Sequence, residues 1–157
     1  MKRTGAALAR GKSRQDYQTP EEFMLAVRNR WGKPRFDLAA SAKNAQCTRY
    51  FNKRDNALKK QWPRTLCWLN PPYSDIGPWA KKCAEEAQRG TRTLFLVPAS
   101  VGSNWYCDWC YPYSATYFLQ GRITFVGAVD PYPKDLILCD FGGRAAKCVP
   151  WKWTEWL

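Results

Sequence analysis

A short apolar run that ends at two consecutive prolines constrains this chain more than any other feature. Leu66–Leu69 is apolar and short enough to be a buried strand, and Asn70–Tyr73 (Asn-Pro-Pro-Tyr) follows it directly. Proline lacks a backbone N–H and restricts the residue before it, so the chain can neither continue as a strand nor enter a helix at once. The sequence therefore predicts a stiff loop at the C-terminal end of a strand, where open α/β sheets bind their ligands.

The Asn70–Tyr73 loop has the groups needed to bind an amino group on an aromatic ring. The side-chain oxygen of Asn70 and the carbonyl oxygen of Pro71 can both accept hydrogen bonds from one NH2 group. Two such acceptors would turn the nitrogen lone pair out of conjugation, and Tyr73 could stack on the ring. The alternative is a proline-rich turn with a buried aromatic residue. The position of the motif directly after an apolar strand favours the functional interpretation.

Helix-like and strand-like segments alternate along the chain. Thr19 as N-cap and Pro20 as first helical residue predict a helix that ends near Gly32. Further helices are predicted at 76–89 and around 102–110, with a brief one near 55–58. Strands are predicted from residue 36 and at 47–51, 66–69, 93–97, 115–119 and 136–141. This order predicts an α/β fold, with a mostly parallel sheet, helices on both faces and an antiparallel hairpin at one edge.

The length of 157 residues suits one domain with an ordinary core. Residues 1–14 contain Gly, Ala and Ser among basic residues and show no apolar periodicity, so we expect a mobile basic arm. Residues 15–141 hold all the predicted strands. Residues 142–157 form an aromatic tail with three tryptophans, which either packs on the domain or presents its rings to a partner.

The charge of the chain indicates a polyanionic partner. Lys and Arg number 25 against 13 Asp and Glu, which gives a net charge of +12. After the basic arm, a second group of cations precedes the Asn70–Tyr73 loop: Arg49, Lys53, Arg54, Lys59, Lys60 and Arg64. A solvated basic face is the alternative explanation for each group. Together with 9 Trp, 8 Tyr and 7 Phe, they favour a nucleic-acid surface.

The cysteines and the apolar runs indicate a cytoplasmic protein. The 7 cysteines are an odd number and several lie in apolar runs, as buried reduced thiols do. No run approaches the length of a membrane span, and the N-terminus lacks the apolar segment of a signal peptide. Cys107 and Cys110 form a lone Cys-x-x-Cys motif. Without histidine, a zinc site there would need two further cysteines, so helical cysteines without a metal are favoured.

In these residues the chain resembles the phage-type DNA N6-adenine methyltransferases, a small family of Rossmann-like enzymes that use S-adenosylmethionine. The resemblance runs from about Gln18 to Phe141. It rests on an ordered set of segments: Tyr-Gln-Thr-Pro (17–20), Phe-Asp-Leu-Ala-Ala-Ser (36–41), Asn-Ala-Gln-Cys-Thr-Arg-Tyr-Phe (44–51), Asn-Pro-Pro-Tyr-Ser (70–74), Leu-Val-Pro-Ala-Ser (96–100) and Gly-Arg-Ile-Thr-Phe (121–125). Asn-Pro-Pro-Tyr alone also occurs in enzymes that methylate guanine or protein glutamine, whereas the ordered set is more specific.

The resemblance implies a role for each matching residue. The catalytic loop that binds a flipped-out adenine would be Asn70, Pro71, Pro72 and Tyr73. Residues near the cofactor would be Thr19, Pro20, Asp37, Ala39, Ala40 and Asp55. Arg122 and Phe125 would help to hold the extruded base. The reaction would convert S-adenosylmethionine into S-adenosylhomocysteine, and it needs neither histidine nor a metal.

One segment departs from the pattern of many methyltransferases. The turn after the first predicted strand is Leu38-Ala39-Ala40-Ser41, with no glycine. The alternative for Asp37 is a helix N-cap or a turn residue, and helix capping explains Thr19 and Pro20 equally well. Asp55 and Arg122 could be ordinary surface residues.

Several functions and assemblies therefore stay open at this point. The alternatives to DNA adenine methylation are methyl transfer to RNA or to a protein glutamine, and DNA binding by a methyltransferase scaffold without activity. The chain could act as a monomer or as a homodimer. Nothing in the sequence names the DNA sequence that it would recognise.

Overall fold

The computed structural model describes residues 17–143 and 147–157, and its centre is a sheet of six strands. The strands are β1 Phe36–Asp37, β2 Leu66–Leu69, β3 Arg92–Pro98, β4 Ser114–Gln120, β5 Leu136–Phe141 and β6 Cys148–Lys152. They lie in the order β1-β2-β3-β5-β4-β6. The pairs β1–β2, β2–β3 and β4–β6 are parallel, whereas β5 is antiparallel to both of its neighbours. The predicted Rossmann-like α/β class is confirmed.

The antiparallel hairpin of β4 and β5 lies inside the sheet and not at its edge. β5 returns between β3 and β4, and β6 then adds on the outer side of β4. The parallel register of β6 pairs Thr116 with Cys148 and Leu119 with Trp151. The side chains of Trp151 and Trp153 are buried, whereas Trp156 stays partly exposed. Residues 148–156 therefore pack on the body of the protein and complete its sheet.

Helical segments connect and cover the strands. They are α1 Glu21–Trp31, α2 Gly77–Ala87, α3 Tyr111–Tyr113, the 3-10 helices Ala57–Lys59 and Trp153–Trp156, and the π-helical turn Tyr106–Cys110. α1 ends at Gly32, as predicted, because its φ of +91° suits glycine and its N–H bonds to the Arg28 carbonyl. The predicted helix around 102–110 takes the wider π form before it continues into α3.

Two apolar layers cover the two faces of the sheet. On one face, α2 packs Ala80 and Cys83 against strand residues such as Phe95. On the other face, α1 packs Phe23 and Val27 against Trp68 and neighbouring strand residues. The central strands are buried on both faces, which explains why their sequences are continuous apolar runs.

Two predictions about local structure are wrong. α1 begins one residue later than predicted: Pro20 is its N-cap with φ −70° and ψ 148°, and no side chain caps the helix. The hydroxyl oxygen of Thr19 instead accepts a hydrogen bond from Asn70. The strand predicted at 47–51 is reduced to a single bridge between Asp37 and Tyr50, because β1 has only 2 residues for it to pair with.

The basic arm predicted at 1–14 lies outside the described residues. None of the helices in the described parts of the chain has the length and apolar character needed to cross a lipid bilayer.

Candidate active site

The predicted loop lies at one edge of the sheet, beside the end of a second strand. Asn70 follows β2 directly, and Asp37 ends the neighbouring parallel strand β1, where it pairs with Trp68. Parallel strands place their carboxyl ends at the same edge. A cavity of about 750 Å³ opens there. This volume is within the usual range for sites that bind small molecules or cofactors.

Three parts of the chain line this cavity. The segment before α1 contributes Tyr17, Gln18 and Thr19, and the loop after β2 contributes Asn70, Pro72 and Ser74. The rest of the lining comes from the end of β1 and the segment after it, from β2 and from α2: Asp37, Leu38, Ala39, Ala40, Ser41, Lys43, Asn44, Gln46, Asn52, Lys53, Asn56, Ala57, Trp68 and Trp79. The wall after β1 combines small residues, which let a ligand approach the backbone, with amides and cations.

The side-chain amide of Asn70 is held by three hydrogen bonds. Its Nδ2 donates to the carbonyl oxygen of Tyr17 at 3.0 Å and to Oγ1 of Thr19 at 3.2 Å. Its Oδ1 accepts a hydrogen bond of 2.8 Å from the hydroxyl of Tyr73. Both amide hydrogens are therefore used, and the oxygen keeps one lone pair for a further donor.

Tyr73 lies in a cluster of four aromatic rings. Its ring centroid is 5.5 Å from that of Tyr17 and 5.9 Å from that of Tyr132, and Phe125 is 4.8 Å from Tyr17. Burial raises the pKa of Tyr73 well above its ordinary value, and neighbouring Tyr132 and Tyr17 raise it further. The hydroxyl of Tyr73 is therefore protonated at neutral pH and acts as the donor to Asn70.

Asp37 is buried, and backbone amides satisfy its carboxylate. Oδ1 accepts from the Ala39 N–H at 3.2 Å, and Oδ2 accepts from the Gln46 N–H at 2.9 Å. Desolvation raises the pKa of Asp37 from 3.8 to about 6, although the bonds from Gln46 and Ala39 oppose this rise. Asp37 thereby ties the turn after β1 to the segment that follows and shapes the wall of the cavity.

A family model described as DNA N-6-adenine-methyltransferase (Dam) matches residues 8–135. The chain belongs to the Dam family. A DNA N-6-adenine-methyltransferase of Escherichia phage T1 is 32% identical to it over 93 residues, which are 59% of this chain and 39% of that protein. The DNA N-6-adenine-methyltransferase of Haemophilus phage HP1 is 25% identical over 92 residues, which cover 57% and 53% of the two chains. The matched part thus spans about half or less of these relatives.

Six of the residues that the Dam resemblance singled out line the same cavity. Asn70 and Pro72 lie on the β2 side, and Thr19 lies on the segment before α1. Asp37, Ala39 and Ala40 lie on the β1 side. Tyr73 lies beside the cavity through its hydrogen bond to Asn70, and Pro71 is buried.

The remaining candidates lie outside the lining of the cavity. Oδ2 of Asp55 accepts a hydrogen bond of 2.8 Å from the backbone N–H of Asn52. Pro20 is the N-cap residue of α1. Arg122 is exposed and lies 4.0 Å from Asp135. Phe125 belongs to the four-ring cluster with Tyr73. Phe125 is thus the one of these four residues that belongs to the ring cluster around Tyr73.

Gln46, Tyr17 and Tyr132 were not among the site residues predicted from the sequence. Gln46 donates through Nε2 to the Thr19 carbonyl at 3.1 Å and lines the cavity. Tyr17 and Tyr132 complete the ring cluster. Gln46 and Tyr17 lie within the quoted Dam-like segments, which was the one available signal, whereas Tyr132 lies in a loop with no motif.

Within residues 17–143 and 147–157, no three His, Cys, Asp or Glu residues are grouped closely enough to hold a metal ion. Cys107 is exposed and Cys110 is buried, and both are free thiols.

The basic residues before the loop remain on the surface. The six cations Arg49, Lys53, Arg54, Lys59, Lys60 and Arg64 are all exposed. Lys53 also lines the cavity, together with Lys43. The entrance of the cavity is thus bordered by positive charge.

Proposed function

We propose that this Dam family protein is a DNA adenine-N6 methyltransferase. The observation that supports it best is the amide of Asn70. Its oxygen is held at the end of β2, beside a cavity of cofactor size, and it keeps one lone pair for a donor. A hydrogen-bond acceptor in this place suits an exocyclic amine, which is the group that accepts the methyl in adenine methylation.

The cavity suits S-adenosylmethionine in size and in chemistry. Its volume of about 750 Å³ is adequate for a nucleoside with an amino-acid chain. Ala39 and Ala40 would let the cofactor approach the backbone, and Thr19 would border it from the other side. Asn52, Asn56 and Lys53 offer donors for its polar groups. Asp37 would hold this wall in shape through its bonds to Ala39 and Gln46.

When bound, S-adenosylmethionine supplies a methyl group on a positively charged sulfur and leaves as S-adenosylhomocysteine. The chain supplies position and polarity. Asn70 Oδ1 and the carbonyl oxygen of Pro71 would each accept a hydrogen bond from the adenine amine, and these two bonds would orient its nitrogen lone pair. Tyr73 stays protonated, so it remains a donor to Asn70. Pro72 keeps the loop stiff while the amine binds.

The ring cluster supports a stacking site for the base. The ring of Tyr17 contacts both Tyr73 and Phe125, with interplanar angles of 33° and 32° and centroid distances of 5.5 and 4.8 Å. A flat base between Tyr73 and Phe125 would be stacked on both of its faces. The base would have to displace the ring of Tyr17 to reach this position. Stacking would offset the cost of a few kcal/mol for unstacking the base from the duplex.

DNA is the partner that best explains the charge of the chain. The exposed cations before the loop would contact phosphates near the entrance of the cavity, and Arg122 could contact the strand near the base. An enzyme that methylates bacterial or phage DNA works in the cytoplasm of the host cell. The basic arm at 1–14 would add to the attraction, and the chain would act as a monomer or as a homodimer.

Methyl transfer with labelled S-adenosylmethionine tests this function. The full chain is incubated with duplex DNA, with RNA of the same sequence and with a glutamine-containing peptide, and the products are identified by mass spectrometry. We expect N6-methyldeoxyadenosine from the DNA and none with Asn70→Ala. Methylated product from the RNA or the peptide alone would show that one of these, and not DNA, is the substrate. If no product forms and titration with S-adenosylmethionine releases no heat, the protein is a methyltransferase scaffold without activity.

A further inference from the structure

The orientation of the Asn70 side-chain amide determines whether it can accept a hydrogen bond from an amine. An asparagine side chain has an acceptor at one end and two donors at the other. The amine of adenine has hydrogens to donate, so the NH2 end of Asn70 would repel it. The oxygen must therefore face the substrate, and some group has to prevent the amide from turning over.

Two acceptors on the segment before α1 hold the nitrogen end of the amide. The carbonyl oxygen of Tyr17 cannot donate a hydrogen bond, and it lies 3.0 Å from Nδ2. Oγ1 of Thr19 lies 3.2 Å from the same nitrogen. If the amide turned over, its oxygen would meet the carbonyl oxygen of Tyr17, which cannot donate. The hydroxyls of Thr19 and Tyr73 can each donate or accept, so the Tyr17 carbonyl sets the orientation of the amide. The Thr19 hydroxyl adds a second hydrogen bond that holds the amide nitrogen in this orientation.

The segment that carries these acceptors is itself held from two sides. Gln46 Nε2 donates to the Thr19 carbonyl at 3.1 Å, and the Val126 N–H donates to the Gln18 carbonyl at 3.0 Å. Thr19 is 4% exposed, so water does not readily replace its hydroxyl as a partner for Asn70. The segment is therefore fixed to the rest of the site independently of Asn70.

We propose that Thr19 is a positioning residue, which together with the Tyr17 carbonyl holds Asn70 Oδ1 toward the acceptor amine. This inference rests on the proposed function as far as catalysis is concerned. It gives the hydroxyl of Thr19 a role distinct from contact with the cofactor, since the hydroxyl acts on the substrate through Asn70.

The test is Thr19→Val, which keeps the branched shape and removes the hydroxyl, compared with Thr19→Ser, which keeps the hydroxyl. Loss of one hydrogen bond to the amide predicts that kcat for adenine methylation falls roughly 3- to 10-fold in Thr19→Val. We expect Thr19→Ser to restore most of it, and the dissociation constant for S-adenosylmethionine to change less than about twofold in both. Thr154→Val, at an exposed position, is the matched control and should leave kcat unchanged.

Three results would overturn the role of Thr19 in catalysis. One is a wild-type kcat in Thr19→Val. Another is a loss of cofactor affinity that accounts for the whole loss of activity, which would make Thr19 a cofactor contact. A Thr19→Ser variant as slow as Thr19→Val would also count against it, because the hydroxyl would then not be the group that matters.

A second measurement separates this inference from the proposed function. The side-chain NH2 of Asn70, assigned in NMR spectra by its loss in Asn70→Ala, should exchange slowly with solvent in the wild type and faster in Thr19→Val. This result is independent of any activity. Equal exchange in the two proteins would exclude the hydrogen bond to Thr19, whereas a protected amide in a protein that does not methylate adenine would refute only the proposed function.

Discussion

Asp37 and Asn70 end neighbouring parallel strands, yet their side chains are used in opposite ways. Both oxygens of Asp37 accept backbone N–H groups, from Ala39 and Gln46. Asn70 uses its donors on the segment before α1 and keeps a lone pair on its oxygen. Asp37 is also buried, whereas Asn70 is only half-buried. Asp37 therefore builds the wall of the cavity, whereas Asn70 presents a group to a ligand. The comparison shows that a polar residue at a strand end has to be judged by which of its atoms remain available.

The largest effect on activity should come from removing the side-chain oxygen of Asn70. In Asn70→Ala we expect kcat for methyl transfer to fall about 100-fold or more, because the amine loses a positioned acceptor. Cofactor affinity, measured by calorimetry, should change little, since Asp37 and its wall remain. Asn104→Ala, at an exposed position, is the control. If Asn70→Ala lost cofactor affinity as much as activity, Asn70 would serve the cofactor site as Asp37 does, and the two residues would not have separate roles.

Asp37→Ala should give the opposite pattern. Two backbone N–H groups lose their acceptor, so we expect the free energy of unfolding to fall by about 2–3 kcal/mol in denaturant titrations at pH 7. Affinity for S-adenosylmethionine should fall about tenfold or more because the wall after β1 loosens. Asp130→Ala, on an exposed loop, should change neither quantity. Unchanged stability in Asp37→Ala would mean that the bonds to Ala39 and Gln46 do not hold this wall.

The raised pKa of Asp37 predicts a pH dependence of stability that Asn70 cannot produce. Its pKa rises from 3.8 to about 6 on folding, so the folded state binds more protons than the unfolded state between these values. The part of its contribution to stability that depends on protonation is therefore complete below pH 3.8 and is lost as the pH rises through about 6. The difference in unfolding free energy between wild type and Asp37→Ala should shrink across this window, by up to about 3 kcal/mol. A constant difference would contradict the raised pKa.

The smallest effect is expected at Tyr73. Tyr73→Phe keeps the ring and removes the donor to Asn70 Oδ1, while the two bonds on the nitrogen side remain. We expect kcat to fall roughly two- to fivefold, since one of three restraints is lost. The pH profile of kcat below pH 9 should stay the same, because the pKa of Tyr73 is well above its ordinary value. A loss as large as that of Asn70→Ala would mean that the hydroxyl acts directly on the substrate. Tyr113→Phe, at an exposed position, is the matched control.

Local sequence was sufficient for much of the fold and for the central loop. β2 and the Asn70–Tyr73 loop were predictable because an apolar run followed by two prolines allows few conformations. β3, α2 and the hairpin of β4 and β5 were predictable because their apolar patterns match the strand and helix periods. Asp37 and the small residues after it were singled out by the Dam-like segments.

Other features depend on contacts between distant parts of the chain. Thr19 looked like a helix cap, but its hydroxyl binds Asn70, 51 residues away, and α1 starts without a side-chain cap. The strand predicted at 47–51 forms only one bridge, because β1 has 2 residues and offers too short a partner. The place of β6 outside β4 could not be predicted either, because a strand's own sequence does not name its neighbour.

The sequence by itself determined that a buried strand ends in an Asn-Pro-Pro-Tyr loop within a strongly basic α/β chain. Proline geometry, apolar periodicity and charge are local properties, and they need no knowledge of distant contacts. Only the tertiary structure decided which end of the Asn70 amide is available and which rings surround Tyr73. Those answers depend on hydrogen-bond partners and ring contacts that come from Tyr17, Thr19 and Tyr132, which folding brings to the end of β2.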